Sequence, residues 1–156
     1  MEPKKMIGAW LGAFVVMFLL SYVWFVLLMG DYNMVTYSEV NLSEEEFSMA
    51  LIVVGYLVQA FMLAYIFPIG FGGGPAVKEG LRFGVILGAL VALPGAFIYA
   101  AVYKMPLEGN IINAAYHIVE FAAGGIVIAK VYGSGSAAPQ SSASEAAPES
   151  SESEEE

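Results

Sequence analysis

The chain has 156 residues, is 58% hydrophobic and has a positive mean hydropathy, an apolar share above that of a soluble domain. It contains no cysteine, which excludes a disulfide framework and a thiolate metal site. The net charge of −9 is unevenly spread: six of the fifteen acids follow residue 132 with no Lys or Arg among them, and no basic patch points to nucleic acid.

Residues 1–5 are a short basic start with Lys4 and Lys5. Residues 6–29 form an uncharged apolar run. It is too long for the apolar part of a signal peptide and lacks a small-x-small cleavage site before Asp31, so it reads as a retained first span. Gly8 and Gly12 give it a smooth patch for helix contact. Trp10, Tyr22 and Trp24 are expected to serve partly as anchors at the membrane interface.

Residues 30–46 read as a polar connection with Asp31, Glu39 and three consecutive acids at 44–46. Ser43 and Glu46 have capping-box spacing, which predicts a second helix starting near Glu44. Asn41-Leu42-Ser43 matches the glycosylation triplet, and reads as a chance match within the cap. The second span covers 47–67, with Gln59 as its one strongly polar residue and Pro68 as its end. The glycine-rich turn at 69–75 lacks the Lys-Ser/Thr ending of a phosphate loop and reads as a flexible connector.

The third span, 77–103, carries Gly80, Gly84, Gly88, Ala92, Ala96 and Ala100 at every fourth position. This ridge lets a neighbouring backbone approach, and marks the helix as the expected packing centre. Pro94 is expected to kink it. Glu79 and Arg82 have the spacing to pair at its entrance. The short segment 104–109 makes spans three and four antiparallel neighbours.

The fourth span, 110–132, is the most informative. Asn113, Tyr116, His117, Glu120 and Gly124 fall within an arc of roughly 100° on one helix face. Glu120 lies near the middle, where an ionisable side chain costs about 2.5–3.5 kcal/mol by insertion scales unless it is protonated, paired or facing a wet cavity. His117, three residues away on the same face, is its expected partner.

Residues 133–156 contain Ser, Ala, Pro, Gly and Glu with too little apolar surface to order themselves, and are expected to be disordered. The expected architecture is an all-α, antiparallel up-down, four-helix integral membrane bundle over 1–132, followed by this acidic tail. The bases gather at one end: Lys4, Lys5, Lys78, Arg82 and Lys130, against Lys104 at the other. The positive-inside rule then predicts a multi-pass protein of the cell membrane with both termini and the glycine loop in the cytoplasm.

Two runs carry a resemblance: Glu79-Gly80-Leu81-Arg82-Phe83-Gly84, and Ala115-Tyr116-His117-Ile118-Val119 followed by Gly124-Gly125. With the layout of spans from 6 to 132, they resemble small bacterial four-span membrane proteins that belong to domains of unknown function. The resemblance implies a compact membrane bundle. It implies no activity and supplies no catalytic residue.

Three functions fit the polar residues. The first is a structural or accessory subunit that joins other membrane subunits or a second copy through its small-residue faces. Here Gln59, Asn113, His117 and Glu120 form a hydrogen-bonded cluster between helices. The second is a proton-linked carrier or channel, since His titrates near neutral pH and intramembrane ionisable residues are functional candidates. The third is a haem, quinone or metal site with His117 as ligand, although the eight Met show no ligand spacing. An enzyme with a nucleophile and base finds no support, because Ser21 and Ser48 have no base nearby in sequence. The tail reads either as a solvated spacer or as an acidic docking arm for a basic partner.

Overall fold

A computed structural model describes residues 3–43 and 45–133. Among them every regular element is helical: α1 Pro3–Tyr22, a π-helical segment Val23–Leu28, α2 Gly30–Thr36, α3 Met49–Gly70, α4 Ala76–Val102 and α5 Leu107–Gly133. Four rods are long and apolar enough to cross a membrane: Pro3–Leu28, Met49–Gly70, Ala76–Val102 and Leu107–Gly133. The protein is an all-α membrane bundle of four spans. The acidic tail expected to be disordered lies outside the described residues from 134 onward, as does Glu44.

Local chemistry moves several boundaries. Ser43 donates its hydroxyl to Glu46 Oε2 at 2.8 Å and its backbone N–H to the same atom at 3.3 Å. These bonds hold the exposed Glu46 carboxyl below its usual range. They close an isolated turn rather than a helix. The helix begins one turn later, where the Ser48 hydroxyl accepts from Leu51 N–H and caps α3. Pro68 does not end α3, which runs on to Gly70. The polar connection after the first span contains a short helix, α2, that the sequence does not announce.

The first rod changes pitch near its end. The N–H of Met29 donates to the carbonyl of Trp24, five residues back, at 2.8 Å. One wide turn of this kind shifts the side-chain register and is a frequent companion of functional sites.

The packing centre is α5, not the third span. Of α5's apolar stretch 44% is buried inside the protein, against 11% for α4. Helix α5 packs against α4 and α1, and more lightly against α3; α1 also packs against α3. Two adjacent glycines explain this hub. A Cβ at Gly124 would lie 2.6 Å from Met17 Sδ of α1 and 3.2 Å from Leu63 of α3, whereas one at Gly125 would overlap the Gly80 carbonyl of α4. Without side chains at these two positions, α5 admits neighbours on two adjoining faces.

The α4 ridge faces α5 closely. A Cβ at Gly80 would fall 2.5 Å from the Gly125 carbonyl oxygen, one at Gly84 would overlap the Phe121 carbonyl, and one at Gly88 would reach within 2.9 Å of Ile118 Cα. On α1, Gly8 and Gly12 face Val131 and Val127 of α5, at 3.7 and 3.1 Å from an added Cβ.

Both ends are tied. At the end holding the glycine loop, Glu79 Oε2 accepts from Gly72 N–H at 2.9 Å and from Arg82 Nη2 at 2.8 Å, while Arg82 also donates to the Gly70 carbonyl. The loop is therefore clipped to α4 and not simply a flexible connector. Gly73, at φ +80°, adopts a conformation that suits glycine. At the opposite end Lys104 pairs with Glu39 at 2.8 Å.

Candidate functional site in the membrane core

Glu120 is completely buried, and its Oε2 lies 2.7 Å from Nδ1 of His117. The i, i+3 spacing on α5 sets this contact, because residues three apart on a helix face one another. The other carboxyl oxygen, Oε1, has no hydrogen-bond partner. Around it stand the phenols of Tyr56 from α3 and Tyr116 from α5, with Ser21 of α1 in range of both phenols. The Tyr116 hydroxyl is likewise buried without a partner. A lone buried carboxylate is costly, and one proton held between Nδ1 and Oε2 leaves the pair neutral overall.

His117 stands between two environments. Its side chain is 33% exposed, against 0% for Glu120. It lines a cleft of about 280 Å³ formed by α3, α4 and α5, together with Gln59, Asn110, Asn113 and Tyr99. With Nδ1 engaged, the nitrogen left for the cleft is Nε2. Phe25, carried on the π-helical turn, packs on the His117 ring at a centroid distance of 5.8 Å and edge-on against Tyr116 at 5.4 Å.

The expected cluster of Gln59, Asn113, His117 and Glu120 does not form as one network. His117 and Glu120 bond to each other. Asn113 instead accepts from Trp24 Nε1 at 3.1 Å and donates to Asn33 Oδ1 and Tyr37 Oη, each at 3.2 Å. Tyr37 donates its hydroxyl to Asn110 Oδ1 at 3.1 Å, and Asn110 donates to the Ala96 carbonyl. Burial pushes the Tyr37 phenol up, with the Asn113 bond opposing. Gln59 lines the same cleft as His117, but its amide nitrogen is buried with no partner.

Sequence reasoning missed Trp24, Phe25, Asn33, Tyr37, Tyr56 and Asn110 as parts of this region. Trp24, which the sequence reads as partly an interface anchor, also gives its N–H to Asn113 and stacks its ring on Tyr116 at 4.8 Å. Trp10 also turns inward, donating to the Leu57 carbonyl at 2.8 Å. The one usable signal was the polar pair Asn110 and Asn113, three residues apart and in need of partners. Ser48 is a helix cap, and Ser21 neighbours phenols.

A family model covers residues 8–129, most of the chain and all of this region. The chain belongs to that family, described as a protein of unknown function (DUF1761). No curated protein and no solved structure matches it. Both runs that carried the resemblance lie within the DUF1761 segment. Glu79 and Arg82 form the loop clip, Gly80 and Gly84 the α4–α5 contact, and His117 is the partner of the buried Glu120. Among the described residues, no three His, Asp or Glu side chains gather to hold a metal ion.

Proposed function

We propose that this protein takes up and releases a proton within the membrane. Glu120 stores it, and His117 passes it to and from the cleft. The observation that carries this reading is the asymmetry of the pair: a fully buried carboxyl in 2.7 Å contact with a partly exposed imidazole. Imidazole can accept a proton at one nitrogen and release one at the other, so it suits a relay between a closed interior and an open cleft.

The accessory-subunit reading needs its adhesive surfaces on the outside. Gly8, Gly12, Gly80, Gly84 and Gly88 are occupied by α5 of the same chain, and Asn113 uses its amide on Trp24, Asn33 and Tyr37. Their internal use favours the proton reading. A further subunit or second copy would dock on the outward faces of α3 and α4.

We place the protein in the cell membrane with both termini cytoplasmic. The bases near the termini and the glycine loop support this orientation, and Lys104 at the other end is paired with Glu39.

The test is infrared titration of protein reconstituted in lipid, between about pH 4 and about pH 9, which brackets carboxyl and imidazole titration. The difference between wild type and Glu120→Gln should contain a pH-dependent carboxyl band, and His117→Gln should displace it. A difference spectrum that stays constant across the interval overturns the reading. Circular dichroism of each variant controls for folding.

A further inference from the structure

The cleft beside His117 has a shape and chemistry of its own. Helices α3 and α4 both flank it but scarcely touch each other, which leaves a lateral gap between two spans over a floor of α5. Ala92, Gly95 and Ala96 make one wall shallow, and Phe121 contributes an aromatic edge. A Cβ at Gly95 would meet only the Tyr99 ring, at 3.5 Å, so the wall has room beside it.

The polar atoms are selective. Asn110 and Asn113 line the cleft, but their amides are already bonded within the protein. What remains for an occupant is His117 Nε2 and the Tyr99 hydroxyl, since the Gln59 amide nitrogen is closed off from the cleft. No Asp, Glu, Lys or Arg lines the cleft, so no fixed charge there calls for an ion.

We propose that this cleft binds the headgroup of a lipid-soluble quinone, with His117 donating to one ring carbonyl and Tyr99 to the other. A flat uncharged ring suits the shallow wall, and two opposed carbonyls suit donors at separate places in the cleft. The volume suits a single ring, below the usual range for drug-sized ligands. The lateral opening admits a molecule dissolved in the bilayer and lets its isoprenoid tail stay there. The proposal deepens the proton reading, on which it rests in requiring His117 to present an N–H to the cleft.

The test uses full-length protein in lipid nanodiscs and a decyl-benzoquinone as probe, with empty nanodiscs measuring lipid partition. Equilibrium dialysis should show one saturable equivalent above partition. Gly95→Leu, which fills the cleft, should abolish it, with Gly95→Ala intermediate. His117→Phe should weaken binding about tenfold, the expected loss for a desolvated hydrogen bond. Retention equal to empty nanodiscs overturns the proposal. So does saturable binding that Gly95→Leu and Gly95→Ala leave unchanged, or that His117→Phe leaves unchanged. The Glu120 infrared band is read on the same samples. No quinone binding with the band intact removes the ligand and spares the proton reading. Binding with no band does the reverse.

Discussion

The indole N–H of Trp24 donates to Asn113 Oδ1 at 3.1 Å across 89 residues of chain, joining the π-helical turn to α5. Asn113 makes two further bonds, to Asn33 and Tyr37, so it locks the end of the first rod and α2 onto the hub. Trp24→Phe keeps a ring over Tyr116 and removes one bond. It should cost about 0.5–1.5 kcal/mol in a reversible unfolding titration. Asn113→Leu strands three partners and should cost about 2–4 kcal/mol. Equal costs for the two variants would show that Asn113 is not the lock.

The α4–α5 contact gives a paired prediction. Gly84→Ala places a methyl against the Phe121 carbonyl and Ala122 Cα, which are backbone and cannot swing aside. A loss of about 1–3 kcal/mol is expected. Gly55 of α3 has nothing within 4 Å of an added Cβ. Gly55→Ala should be neutral or stabilise by up to about 1 kcal/mol through helix propensity. Thermal unfolding of both variants checks the contrast, which disappears if the helices can separate freely.

The loop clip is local. Glu79→Ala removes the acceptor shared by Gly72 N–H and Arg82. The Gly72 amide should exchange with solvent at least about tenfold faster, since its local protection is lost. Exchange deep in α5 should stay unchanged. An unaltered Gly72 rate would mean that another group holds the loop.

Alkaline pH probes Tyr37. Its folded phenol titrates above the ordinary value because burial disfavours the charged form. Its contribution is therefore fully present below the unfolded value of about 10 and is lost as pH rises through the folded one. Wild type should lose stability above about pH 10, and Tyr37→Phe should lose less over the same interval. Melting curves of both proteins across that interval decide it. Parallel decline places the sensitivity on other tyrosines.

Much of the fold was legible because lipid imposes a simple rule: a spanning segment must satisfy its own backbone, and apolar runs of helical length announce it. The small-residue row from Gly80 was readable for the same reason, since side-chain size decides how near two helices come. The proximity of His117 and Glu120 follows from helical spacing alone. The start of α3 was not legible, because Ser43 and Ser48 are both competent caps and only the surrounding turn chose between them.

By itself, then, the order of residues determined four apolar rods and one polar face, properties that depend on neighbours within a few turns. Only the assembled bundle decided that α5 and not α4 is the hub, that Trp24 serves Asn113, and that Glu120 is closed in while His117 looks into a cleft. These depend on which rods meet. That choice is made by contacts between residues far apart in the chain, such as Gly84 with Phe121 or Met17 with Gly124, and no local period encodes them.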